Sequence, residues 1–261
     1  MLSNIATETE STTLRTVLGQ LVLTATQYVA PDARDETVQA AANTLWRLAL
    51  DAAPGSDAQF QFVKFFAALA STEEQLENVQ HLFDGTVMLE GLDIDTDLTW
   101  ELLIALVAGG KAGPDEIAAT LEADNTASGA QSAAHATAAI PTVEGKAAAF
   151  ASLVDTDAAP NAIVRATGLG FQRAIDPSLF EALVPRYFDS LVTLWQTRSY
   201  AIAASVINGL YPAGLANQAL RDATQAWLDA NTDQPPALRR LIIENLAGVD
   251  RALAAQRRDR G

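Results

Sequence analysis

Residues 180–195 read FEALVPRYFDSLVTLW. Apolar side chains fall at Phe180, Leu183, Val184, Tyr187, Phe188, Leu191, Leu194 and Trp195. Steps of three and four residues put them on one face of a helix. Pro185 stands inside this stripe. It has no N–H and its ring collides with the preceding turn, so it predicts a kink or a break. The same spacing recurs outward in both directions. Upstream lie Leu14, Val17, Leu18, Leu21, Val22, Ala25 and Tyr28, then Val38, Ala42, Leu45 and Ala49. Phe60, Val63, Phe66 and Ala67 follow, then Leu76, Val79, Leu82 and Phe83. Downstream lie Ile202, Val206 and Leu210, then Leu220, Ala223 and Trp227, then Leu238, Leu241, Ile242, Asn245, Val249 and Leu253. Leu98 to Val107 is apolar on nearly all sides and predicts an internal helix.

Punctuation agrees with this periodicity. Ser71 and Glu74 have capping-box spacing before Leu76. Asp176-Pro177, Gly113-Pro114 and Pro235-Pro236 have the form of helix starts. Asp84-Gly85 and Gly109-Gly110 have the form of helix ends. Thr86 to Leu92 is the best strand candidate, too isolated to build a sheet. Asp155 to Pro160 is the longest polar break, and no glycine- or proline-rich linker divides the chain. Short helices on short connections, without a strict repeat, predict an all-α fold. The expected form is an irregular, HEAT-like α-α superhelix of stacked helical hairpins. It has about a dozen helices, with residues 1–261 as a single domain.

Composition supports helices and excludes several functions. Of 261 residues, 49% are apolar and 19% charged, enough for a sizeable core. There is no cysteine, so no disulfide, thiolate metal site or thiol nucleophile exists, which fits a cytoplasmic setting. Met1 to Ile5 lacks the basic and apolar regions of a signal peptide. Leu102 to Gly109, the longest apolar run, falls well short of the ~18 residues that span a bilayer, so no membrane partner is expected. The net charge is −15. Residues 1–50 contribute −2, residues 51–160 contribute −15 and residues 161–261 contribute +2, the last with eleven Arg and no Lys. An acidic chain without a concentrated cationic face is a poor nucleic-acid ligand.

Catalytic patterns are incomplete throughout. A zinc peptidase helix needs two His one turn apart with a Glu base. Only His81 and His135 occur, far apart in sequence. No Gly-x-Ser-x-Gly elbow is present, and Ser128 and Ser132 near His135 read as solvent-facing on one helix. Gly168-Leu169-Gly170 follows no strand, and Gly110-Lys111 lacks the other residues of a phosphate loop. Asp93, Asp95 and Asp97 alternate as in a calcium loop. Leu98 and Ile104 then occupy the glycine and glutamate positions, so these acids read as helix N-terminal charges. Trp46, Trp100, Trp195 and Trp227 lie on or beside apolar stripes and read as core. No catalytic residue and no metal ligand is assigned, and no cofactor is expected in this chain.

Several stretches, taken in order, resemble a known family. Glu73-Glu74-Gln75-Leu76 precedes Leu82-Phe83-Asp84-Gly85. Gly91-Leu92-Asp93-Ile94-Asp95-Thr96-Asp97-Leu98-Thr99-Trp100 comes next. Then follow Pro141-Thr142-x-x-x-Lys146, Gly170-Phe171-Gln172, and Arg186-Tyr187-Phe188 with Trp195 and Arg198. Pro236 to Leu241, and Arg251-Ala252-Leu253-x-x-Gln256, complete the series. Their order and spacing, from about Glu8 to Asp259, resemble the C-terminal helical domain of the actinobacterial aminopeptidase N family, among the gluzincin zinc aminopeptidases. Thr99 replaces an Arg common in that family.

The resemblance implies a parent enzyme that releases N-terminal residues from peptides, with zinc held in a catalytic domain outside this chain. It implies an all-α superhelix that covers the catalytic domain and forms a peptide chamber. The implied partners are the parent's catalytic and β-sandwich domains and the peptide substrate. In such a chamber a basic group would pair with a peptide's C-terminal carboxylate. Arg165, Gln172, Arg173, Arg186 and Arg198 are the peptide-binding candidates. The plainer reading makes them surface or interhelical partners. Several family helices usually precede Glu8, so the first helix is expected to expose an apolar face and to promote self-association. The alternative to a chamber domain is a free-standing α-solenoid that binds proteins or peptides.

Overall fold

A computed structural model describes Ile5, Glu8 and residues 10–260. Thirteen α-helices run through the described residues. They are α1 (Ser11–Leu23), α2 (Pro31–Asp51), α3 (Asp57–Leu69), α4 (Glu73–Phe83), α5 (Thr96–Ala108), α6 (Pro114–Ala123), α7 (Ala127–Ala138), α8 (Val143–Val154), α9 (Asn161–Gln172), α10 (Val184–Thr197), α11 (Tyr200–Leu210), α12 (Gln218–Ala230) and α13 (Pro236–Asp259). A π-helical turn, Thr24–Tyr28, extends α1, and 3₁₀ turns cover Pro177–Leu183 and Ala213–Leu215. No strand occurs among the described residues, so the stretch from Thr86 to Leu92 is turn and coil. None of these helices is long and apolar enough to cross a membrane.

The expected punctuation is realised, with two refinements. Pro185 breaks its stripe: the segment before it is the 3₁₀ turn, and Pro185 sits in the first turn of α10. There its missing N–H costs nothing, because first-turn N–H groups have no partner within the helix. The capping box of α4 is Thr72 with Gln75, one residue beyond the expected Ser71 with Glu74. Asp95 caps α5 through the Leu98 N–H at 2.8 Å and Asp97 lies in its first turn, the dipole role expected of them.

Two compact units divide the chain: Met1–Ala112 with Gln256–Gly261, and Gly113–Ala255. In the first, α3 packs against α1, α2 and α5. Its core includes Leu14, Leu18, Leu45, Phe66, Leu82, Leu98 and Leu102, all buried. Trp46 lies on Phe66 with ring centroids 4.8 Å apart. Each such side chain contributes about 1.5–3 kcal/mol on burial. Leu14, Leu18 and Leu21 turn into this core, while Thr12, Thr13, Arg15, Thr16, Gly19 and Gln20 face outward. The expectation of an exposed apolar face on the first helix is therefore corrected: α3 covers it.

Residues near the chain's end complete the first unit. The Gln256 side chain donates to the Gln27 carbonyl at 2.8 Å, at the close of the π-helical turn. The Asp259 carboxylate accepts from the Ala30 N–H at 2.8 Å, which places a negative charge on the N-terminus of α2. Arg260 and Asp32 form an exposed ion pair at 3.4 Å.

The second unit is built around α9, which packs between α7 and α11. Glycines permit the close approach. A Cβ on Gly168 would lie 3.1 Å from the Cα of Gly209, and one on Gly170 would overlap the His135 carbonyl oxygen. Phe150, Phe171, Phe180, Tyr187, Leu191, Tyr211 and Ile242 fill the core. Alternate helices thus lie side by side in each unit, α1–α3–α5 in one and α7–α9–α11 in the other, the packing of stacked helical hairpins.

Candidate functional site

All five candidate peptide-binding residues lie in the second unit, on or just after α9 and α10. Their side chains have different fates. Arg165 is exposed on α9, four residues before Leu169, which is 63% exposed. Positions four apart share a helix face. The amide of Gln172 instead donates to the Gly209 and Tyr211 carbonyls at 2.8 and 2.6 Å, tying the end of α9 to the end of α11.

Arg186 and Arg198 converge on the C-terminal end of α8. Arg186 pairs with Asp155 at 2.7 Å and lies over the Phe150 ring, 5.1 Å from its centroid. Arg198 donates to the Val154 and Thr156 carbonyls at 3.4 and 2.5 Å. Helix C-terminal carbonyls lack partners within the helix and carry partial negative charge, so a guanidinium satisfies both needs. A shallow depression opens beside Arg198, with Leu153, Val164, Ile202 and Val206 as apolar lining and Asp157 on its wall.

Arg173 is half-buried at the end of α9, and its carbonyl faces a group that sequence reading assigned no role. That group is Lys146, in the second turn of α8 and 0% exposed. Its ammonium donates to the carbonyls of Ala138 (2.8 Å), Gly170 (3.1 Å), Phe171 (3.0 Å) and Arg173 (2.7 Å). The Phe171 and Phe180 ring centroids lie 6.0 and 5.8 Å from it. Burial, and to a lesser degree the Arg173 charge, lowers the amine from 10.5 to about 7. Lys146 closes the stretch Pro141-Thr142-x-x-x-Lys146, but that pattern carries no sign of burial. Only the meeting of α7, α8 and α9 reveals it.

His81 closes α4 and His135 lies on α7, in different units. No group of three or more His, Asp or Glu able to hold a metal occurs among the described residues. The geometry is that of a helical scaffold with Arg165 and Leu169 exposed on one face of α9.

The comparisons with known proteins define the class. Residues 1–251 match the family described as ERAP1-like C-terminal domain, and the chain belongs to that family. Aminopeptidase N of Streptomyces lividans is 40% identical over 259 residues, which cover 99% of this chain and 30% of that protein. The chain therefore spans less than a third of that relative's length.

Proposed function

We propose that this chain is the non-catalytic C-terminal domain of a zinc aminopeptidase, covering a catalytic domain and forming the wall of a peptide chamber. The observation that carries this reading is the match to an aminopeptidase N across 99% of the chain. The domain's contribution is confinement and orientation of a peptide, which lowers the entropic cost of reaction without bond chemistry in the domain itself. Zinc belongs to the catalytic domain, outside these residues, and the setting is cytoplasmic. The physical partners are the catalytic and β-sandwich domains of the same protein and a peptide substrate.

Among the five candidates, Arg165 is best placed to meet a peptide carboxylate, because its side chain is exposed. Gln172 and Arg198 already donate to helix-end carbonyls and Arg186 to the Asp155 carboxylate; with Arg173 they are proposed as secondary contacts.

Two measurements test the reading. The gene immediately upstream of Met1 should encode a fused segment containing a His-Glu-x-x-His helix. The isolated chain should leave aminoacyl reporter substrates intact with and without zinc. Robust zinc-dependent turnover by the isolated chain would overturn it.

A further inference from the structure

Lys146 poses a problem of charge. Thr142 caps α8 through the Gly145 N–H at 2.9 Å, so Lys146 follows directly on the helix's first turn. That end of a helix carries partial positive charge and disfavours a cation. The side chain is nevertheless fully buried, and no carboxylate pairs with it among the described residues. An uncompensated buried charge costs several kcal/mol. Something must offset that cost.

The four carbonyls offset part of it. Ala138 is the last residue of α7, Gly170 and Phe171 lie in the last turn of α9, and Arg173 follows it. Each belongs to a helix end whose carbonyls are short of N–H partners and whose dipole is negative. The distances of 2.7–3.1 Å are those of N–H···O hydrogen bonds. They exceed the roughly 2.3–2.6 Å of calcium–oxygen contacts. Two aromatic rings near the ammonium add cation–π attraction. Rings of backbone carbonyls replace a hydration shell for monovalent cations in the same way.

We infer that the carbonyl ends of α7 and α9 form a binding site for a primary ammonium ion, filled in this chain by the side chain of Lys146. The lysine is an internal ligand that α8 delivers to its neighbours. Its three N–H groups are shared among the four carbonyls, of which Gly170 also accepts from the Arg173 N–H at 3.0 Å.

Substitution followed by replacement of the missing atoms tests this. Lys146→Ala removes Cγ, Cδ, Cε and Nζ, the atoms of n-propylammonium. Lys146→Met fills the space without a charge. Thermal unfolding of the full chain at pH 6 should fall by about 5 °C or more for both variants, since buried carbonyls lose their donors. Propylammonium should restore at least half of the loss in Lys146→Ala and none in Lys146→Met, at ionic strength matched with sodium chloride. Tetramethylammonium and propanol should restore neither, because the first has no N–H and the second no charge. Lys146→Met as stable as the parent chain would overturn the inference, as would equal rescue by tetramethylammonium or propanol.

A measurement on the unaltered chain holds even where the variants fail to fold. The protein has three lysines, Lys64, Lys111 and Lys146. In a ¹⁵N-lysine spectrum at pH 6, Lys146 should give an NH₃⁺ signal in slow exchange with water. A neutral amine or a freely exchanging one at that position would equally exclude the site.

Discussion

The backbone of Gly170 runs against the carbonyl oxygen of His135 with no room for a Cβ between them. This contact sets the distance between α9 and α7 and brings the Ala138 and Gly170 carbonyls to one ammonium. Gly170→Ala forces the helices apart. Overpacking of this kind costs about 1–3 kcal/mol. Loss of hydrogen bonds to Lys146 adds to it. Denaturant unfolding should place Gly170→Ala well below a control alanine at the exposed Gly19, where a Cβ meets nothing.

The alkaline stability of the chain should pass through a maximum. Lys146 titrates at about 7 in the folded protein, against 10.5 for a free lysine. Between those values the unfolded chain binds a proton that the folded chain does not, so stability rises with pH. Below about 7 both states are protonated and this contribution is flat. Burial raises Tyr211 to about 12 and Tyr187 well above 10.0. Above 10 the unfolded tyrosines ionise first, and stability falls. Urea titrations from pH 6 to 11 should show the rise, and Lys146→Met should remove it. Tyr211→Phe should soften the fall.

The Asp259 carboxylate on the Ala30 N–H supports the start of α2 from more than two hundred residues away. Asp259→Ala should cost about 0.5–2 kcal/mol, the range of a lost N-cap. The loss should be local. Amide hydrogen exchange should speed up in Ala30 to Arg34 and leave α9 unchanged. Uniform acceleration across the chain would contradict a local role.

Stability and peptide recognition should separate between Gln172 and Arg165. Gln172→Leu removes the side-chain donor to the Gly209 and Tyr211 carbonyls, of which Tyr211 keeps the Ala213 N–H, and unfolding should fall by about 2–8 °C. Arg165→Ala removes an exposed side chain and should leave unfolding nearly unchanged. In an aminopeptidase carrying this domain, Arg165→Ala should raise KM for long peptides and spare short aminoacyl reporters. Unaltered kinetics on long peptides would remove Arg165 from the peptide-binding set.

Local signals in the sequence translate directly into structure. Pro185, Asp95 and Gly113-Pro114 each act through their own backbone or a neighbour three residues away, and each stands at a helix start. The capping box slips by one residue because Ser71 and Thr72 are both competent caps, and burial of Gln75 decides between them. Gln75 also donates to Gln39 and Asn43 across the first unit, a relation no local window contains. The basic candidates show the same limit. Arginine content marks the second half of the chain. It gives no sign that Arg186 and Arg198 would close α8, or that Gln172 would join α9 to α11. Lys146 is the extreme case, since its partners come from two other helices.

The stitching of Gln256, Asp259 and Arg260 to the corner between Gln27 and Asp32 has a consequence for synthesis. A ribosome releases α1 to α5 before the second unit, yet their unit lacks its closing contacts until the last turns of α13 emerge. The second unit has all its residues before then. Of the two units, the one holding α1 to α5 must therefore wait, incompletely sealed, while the other can already fold. Nascent-chain pauses or chaperone contacts should cluster in that interval, when the corner at Ala30 is still bare.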